Sequence, residues 1–268
     1  MLKLLSVLKP EEINEYDPQN EVQLPNFLPK RRQASLLSRS ASVYEIENVR
    51  WHSTKPQENV FDWRSARVDV SKIKNVYFVK KPFPPEWIAA HSLMLFTFEK
   101  GGVVDASGNE TDSMVLSIEA FLREGQEYSL TQGMKDRFNI VWLLATWKDY
   151  IERTVYFDKD SDRLVLYPVN ISGEQKKQLL SYAIEQATVN RAGEYYNTIT
   201  NNCTNNLVIL INKTLPENKR IKLWKIPYLV YNLRATMPVW VPGYLEGKGI
   251  LGSEYKTVNR QNYMESVE

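Results

Sequence analysis

Residues 195–207 read YYNTITNNCTNNL and hold Cys203, the only cysteine among 268 residues. Asn201, Asn202 and Thr204 are side chains that favour N-cap and first-turn positions. The apolar run after them, NLVILI at 206–211, is too short to assign by period alone. Lying between a polar cap and NKTLPENK, it reads as a buried helix, with Cys203 in its first turn. Backbone N–H groups there lack intrahelical acceptors, and the positive end of the helix dipole lies beside them. Such a setting favours thiolate over thiol and makes the cysteine a nucleophile at neutral pH. The same N–H groups suit an oxyanion, with Asn202, Thr204 and Asn201 as oxyanion or N-cap support. The competing reading of a lone cysteine is a small buried hydrophobe.

Upstream, the pattern is mostly β. Residues 75–81 (NVYFVKK), 91–98 (HSLMLFTF), 114–121 (MVLSIEAF), 139–147 (NIVWLLATW), 153–158 (RTVYFD) and 163–169 (RLVLYPV) are rich in β-branched and aromatic residues. The 91–98 segment is apolar on both faces, which suits a strand covered on both sides. Residues 101–113 read as a loop. SGEQ at 172–175 is a capping box, with Ser172 as N-cap and Gln175 at N3. It opens a helix whose apolar positions, Leu179, Leu180, Ala183, Ile184 and Ala187, recur by threes and fours, and Gly193 is its expected stop. Strands followed by helices predict an α+β fold with a mostly antiparallel sheet packed against a buried helix that carries the cysteine.

A thiol nucleophile needs a base. His91 opens a strand and shares a face with Leu93 and Leu95. If the segments 91–98 and 114–121 form a hairpin across the 101–113 loop, His91 lies beside Glu119, which would orient the imidazole. The alternatives are a core histidine bonded to backbone, and a Glu119 neutralised by an arginine salt bridge. His52, the other histidine, reads as surface. Cys203, His91 and Glu119 are thus the candidate nucleophile, base and orienter.

Composition sets the remaining bounds. The net charge of +2 gives no field for nucleic acid, so no nucleic-acid partner is expected. One cysteine and two histidines without ligand spacing argue against a disulfide framework and against a metal, and no cofactor is expected. GKGILG matches a dinucleotide fingerprint at Gly247, Gly249 and Gly252, but near the C-terminus, without the required strand and βαβ unit, so it reads as loop glycines. Residues 1–43 read as an N-terminal arm or linker, 44–252 as the catalytic domain and 253–268 as a polar C-terminal tail. No run of about 18 apolar residues is present, and the opening MLKLLSVLKPEE is too short for a secretory leader.

Four segments in this order, AAHSLMLFTFEKGGVV, SIEAFLREGQEYS, YYNTITNNCTNNL and VPGYLEGKGILG, resemble the Lnb N-terminal periplasmic domain family. The family is named after a bacterial lipoprotein N-acyltransferase, and the resemblance runs from about Val43 to about Gly252. It implies a circularly permuted papain-like fold of the NlpC type, in which the histidine strand precedes the cysteine helix. It also implies an acyl-Cys203 intermediate, with His91 as base and Glu119 as the polar third member. A periplasmic or membrane-facing location is implied likewise, whereas the chain's own start and lack of a span keep a cytoplasmic one open.

Three functions are therefore weighed. An N-acyltransferase would take an acyl group from a lipid donor and pass it to an amine of a lipoprotein-like acceptor, with peripheral membrane contact. It predicts an apolar channel, for which Trp87, Trp142, Trp147, Trp224, Trp240, Phe96 and Phe98 are available if they do not simply fill the core. A cysteine peptidase or amidase on peptide or cell-wall substrates predicts an open polar groove. An inactive papain-like binding module predicts an unreactive thiol.

Overall fold

A computed structural model describes residues 30–267, apart from 55, 56, 58, 59, 124 and 226–229. Among them are fourteen strands: β1 (Ser35–Ser40), β2 (Val43–Trp51), β3 (Asp62–Asp69), β4 (Ile73–Pro82), β5 (Ala90–Phe98), β6 (Val103–Asp105), β7 (Glu110–Thr111), β8 (Ser113–Phe121), β9 (Phe138–Thr146), β10 (Arg163–Pro168), β11 (Tyr195–Tyr196), β12 (Trp224–Lys225), β13 (Val230–Tyr231) and β14 (Lys256–Asn259). Six helices accompany them: α1 (Leu130–Gly133), α2 (Trp147–Phe157), α3 (Gly173–Ala187), α4 (Cys203–Thr214), α5 (Leu233–Thr236) and α6 (Val241–Glu246). The architecture is mixed α/β around one large open sheet.

That sheet runs β14-β10-β4-β5-β8-β9-β2-β3-β6-β7, with β1 added to β2 and β11 to β9, while β12 and β13 form a separate ribbon. Every pairing is antiparallel except a short parallel one between β2 and β9. The central strands are apolar on both faces because both faces are covered. One cluster, with Phe78, Met94, Phe96, Leu116 and Trp142, packs under α3 and α4. The other, with Val79, Leu93, Leu95, Val115 and Leu143, packs under α2 through Tyr150 and Ile151. This alternation has period two, so His91 shares the α2 face with Leu93 and Leu95, and Ser92 shares the α4 face with Met94.

The helix α3 follows its sequence. Ser172 Oγ accepts from the Gln175 N–H, the Gln175 side chain caps the Ser172 N–H, and the five spaced apolar residues are its buried ones. Its end differs from expectation, since the helix stops at Ala187 and Gly193 lies in a later turn at φ +74°. The segment 153–158, expected as a strand, belongs to α2 as far as Phe157, with Asp158 as its C-cap. Thr146 caps this helix through the Asp149 N–H, and Trp147, Tyr150, Ile151 and Thr154 recur at helical spacing. Asp149 is also clamped between Arg50 (2.5 Å) and Arg153 (2.7 Å), which ties α2 to β2. Helical periodicity beginning at Trp147 outweighs the β-like composition of RTVYF.

The expected boundaries also shift. Residues 35–40, assigned to the arm, pair with β2, and residues 256–259, assigned to the tail, pair with β10. Residues 30–33 are tied down as well. Arg50 donates to the Lys30 carbonyl at 2.7 Å, and the Gln33 side chain bonds the Ala187 carbonyl and accepts from the Trp142 N–H. The rest of the arm, 1–29, lies outside the described residues. The 101–113 loop contains the short β6–β7 hairpin. GKGILG follows the six-residue α6, so no strand precedes it.

Leu207 is wholly buried between α4 and the sheet, whereas Leu36 is 42% exposed on β1. Leu207→Ala should lower unfolding free energy by roughly 2–5 kcal/mol, whereas Leu36→Ala should stay within about 0.5 kcal/mol. Urea unfolding followed by circular dichroism checks both.

Candidate active site

The turn before α4 is built by asparagines, each with a defined task. Asn202 is the N-cap, its Oδ1 accepting from the Asn205 N–H at 2.9 Å and its Nδ2 donating to the Thr198 carbonyl at 2.7 Å. Asn201 holds the approach by donating to the Tyr195 carbonyl (2.8 Å) and to Glu194 (3.1 Å). Cys203 is the first residue of α4, and its side chain is buried. The Asn205 and Asn206 N–H groups bond Asn202, which leaves those of Cys203 and Thr204 without intrahelical acceptors. Thr204 donates its hydroxyl to Ser92 Oγ at 3.0 Å, fastening the helix tip to β5. The Asn201, Asn202 and Thr204 side chains are therefore occupied in holding the turn. Any oxyanion contact at this tip falls to backbone N–H groups.

β5 delivers His91 to the same cleft, where its imidazole acts on the thiol. The two residues belong to opposite faces of the sheet, and they meet because His91 is the second residue of β5, where the sheet ends. Behind the imidazole, β8 pairs antiparallel with β5, with Leu93 opposite Ser117. His91 Nε2 lies 2.8 Å from Ser117 Oγ, and Ser117 Oγ donates to Glu119 Oε1 at 2.7 Å. A hydroxyl that gives its proton to the carboxylate must accept from the imidazole. This assigns the proton of neutral His91 to Nε2 and leaves Nδ1 as the basic nitrogen for the thiol. Glu119 thus orients the histidine through Ser117, where the sequence suggested direct contact. The other Glu119 oxygen pairs with Arg31. The arginine alternative and the orienter alternative for Glu119 coexist.

Electrostatics follow from this chain. Burial pushes the Glu119 carboxyl up, but Arg31, His91 and Ser117 together hold it well below the usual carboxylate range. Burial also pushes the Cys203 thiol up. His91, chiefly through its charge, and the Ser92 backbone N–H overcome this and bring it down to about 7. Two tyrosines close the surroundings. Tyr196 Oη approaches Sγ at 4.0 Å and Tyr150 Oη approaches Ser117 Oγ at 3.4 Å, and burial raises both phenols far above their ordinary range, so both are neutral.

Cys203, His91, Glu119 and Asn202 line one cleft of about 740 Å³. Its apolar lining includes Phe83, Ile88, Leu122, Leu130 and Met237, and its charged lining Lys30, Arg31, Lys81, Glu119, Glu127, Asp158 and Asp160. Of the aromatic residues available for a channel, those whose side chains are described do not line the cleft. Trp142, Trp147, Phe96 and Phe98 are core, Trp87 and Trp240 are exposed, and the Trp224 side chain lies outside the described residues. His52, read as surface, is half-buried against Glu152 at 3.2 Å and away from the cleft. No cluster of metal-binding side chains occurs among the described residues.

Ser117, Tyr196 and Arg31 were not singled out as site residues by the sequence. Ser117 had a signal, two positions before Glu119 on the same strand face. Tyr196 had only its nearness to Cys203, and Arg31 had none.

The family model described as Lnb N-terminal periplasmic domain matches residues 60–235, which contain Cys203, His91, Ser117 and Glu119 but not Arg31. No curated protein and no solved structure matches the chain.

Alkylation of Cys203 by iodoacetamide should show a half-maximal rate near pH 7, since the thiolate, not the thiol, reacts. His91→Ala removes the group that chiefly lowers the thiol, so the midpoint should rise by a unit or more toward ordinary thiol values, about 8.5. A wild-type midpoint already in that ordinary range, unmoved by His91→Ala, contradicts the assignment.

Proposed function

The match spans more than half of the chain, which therefore belongs to the Lnb N-terminal periplasmic domain family, and from that membership and the cleft we propose a cysteine-dependent acyl-transfer enzyme working through an acyl-Cys203 thioester. The best reading within that class is an N-acyltransferase with a lipid acyl donor and an amine acceptor of the lipoprotein type. A permuted papain-like, NlpC-type relationship is part of the same proposal. Its support is the chain order, with a histidine strand ahead of a helix that opens at the cysteine. The observation that carries the reading is a buried thiol brought to about 7 by an imidazole whose tautomer is fixed from behind.

In the first half-reaction His91 Nδ1 takes the thiol proton and Sγ attacks the donor's acyl carbonyl. The carbonyl oxygen gains the negative charge beside the Cys203 and Thr204 N–H groups, which need no side-chain movement to meet it. Collapse breaks the bond to the leaving oxygen, which receives the proton from the His91 imidazolium. A thioester on Cys203 and a free alcohol result. In the second half-reaction the acceptor amine attacks the thioester, loses a proton to His91 and expels Sγ as thiolate. Ser117 keeps Nε2–H engaged throughout, and Glu119 and Arg31 hold Ser117.

The apolar wall of the cleft supports an acyl chain as the transferred group. The charged lining favours the second reading, a cysteine peptidase or amidase, in which water replaces the amine. No helix among the described residues is long and apolar enough to cross a membrane. A periplasmic, bacterial setting is how the family is described, and for this chain it is a proposal, as is contact with a membrane surface.

Incubation with a phospholipid donor and an N-terminal cysteinyl peptide, followed by intact-mass and peptide mass spectrometry, should give a transient acyl adduct on Cys203 and an N-acylated peptide. Peptide fragments without any adduct would move the assignment to the hydrolase. Cys203→Ala should abolish turnover, His91→Ala should lower it roughly 10²–10⁴-fold, and Glu119→Gln should cost less than His91→Ala.

A further inference from the structure

Not every donor on the charged lining of the cleft is paired. Lys81 is paired with Asp158, and Arg31 Nε is paired with Glu119. Two donors remain. Arg31 Nη1 is buried without a hydrogen-bond partner among the described residues. The Lys30 ammonium has neither hydrogen bond nor ion pair among the described residues, although its carbonyl is held by Arg50. The three cations stand close enough to repel. Partial burial and Arg31 depress the Lys30 ammonium, Glu119 and Asp158 offset this in part, and Lys81 depresses it further. The other acidic groups on the cleft, Glu127 and Asp160, come from separate loops.

We propose that Lys30 and Arg31 form an anion subsite beside Cys203 that takes the phosphate of an amphipathic ligand while its acyl part lies along Phe83, Ile88 and Leu122. A buried guanidinium N–H without an acceptor is costly, and an anionic oxygen placed there receives a charge-assisted hydrogen bond. The apolar lining belongs to the same cleft, so one ligand carrying both an acyl chain and a phosphate satisfies both. As an assignment of the acyl donor this rests on the acyl-transfer reading, but as a binding site it does not.

Binding to Cys203→Ser, which removes thiol chemistry, separates the two. Titration calorimetry in phosphate-free buffer compares dihexanoyl phosphatidylglycerol, below its micelle concentration, with uncharged dihexanoylglycerol and with inorganic phosphate. The phospholipid should bind at least about tenfold more tightly than the neutral lipid, with an advantage that shrinks as salt rises. Lys30→Gln should remove most of that advantage and leave the neutral lipid unchanged. Lys30-dependent binding of inorganic phosphate as tight as that of the phospholipid also supports the subsite and makes soluble phosphate esters its ligands. Equal affinity for the charged and neutral lipids, an equal loss of both in Lys30→Gln, or no binding of any probe overturns it. Absence of an acyl-Cys203 adduct in the wild type would instead sink the acyl-transfer reading and leave the subsite standing.

Discussion

A buried carboxylate has to be paired, and in this protein one such group organises the site. Glu119 stands at the end of β8, away from water, where an isolated charge would neutralise itself. Arg31 and Ser117 keep it ionised. Because it is ionised it can only accept. Ser117 must therefore donate to it, His91 must donate to Ser117, and the remaining imidazole nitrogen must be basic. The directionality of three hydrogen bonds passes from an arginine to the imidazole that serves the thiol.

The sheet makes that chain of contacts affordable in geometry. Antiparallel pairing of β5 with β8 brings residues 26 positions apart to hydrogen-bonding distance. Coverage of both faces fixes which residues can leave the core. His91 belongs to the face under α2, and Cys203 belongs to the layer above the other face. Side chains of opposite faces are separated by the sheet everywhere except at its ends. The site accordingly lies where β5 begins and α4 starts, and the Thr204–Ser92 hydrogen bond holds those two ends together.

Much of this could be read from the sequence, and the limits have physical causes. The cap asparagines, the capping box at Ser172 and the strand alternation around His91 are local signals, so β4, β5, β8 and β9 were legible to within a residue or two, as were the starts of α3 and α4, but the end of α3 was not. The Glu119 side chain was placed on the correct strand face, but a direct contact to His91 could not be told from one through Ser117, because register gives adjacency and not side-chain reach. RTVYF was misassigned because composition was weighed before the Trp147, Tyr150, Ile151 and Thr154 spacing. Arg31 was not legible at all. It lies in a stretch whose prolines and mixed charges look like linker, and its role arises from a partner 88 positions away. Long-range ion pairs leave no periodicity behind.

Charge across the cleft connects chemistry to ligand. When the proton moves from Cys203 to His91, the thiolate and imidazolium cancel, as Glu119 and Arg31 already do. The reacting quartet is thus neutral in both its ground and its activated form, and transfer of the proton changes little outside the contact. A neutral quartet exerts weak attraction on an uncharged carbonyl, so in the proposed reaction the acyl group is held by other means: the apolar lining for its chain and, for its charged remainder, Lys30, which forms no ion pair among the described residues.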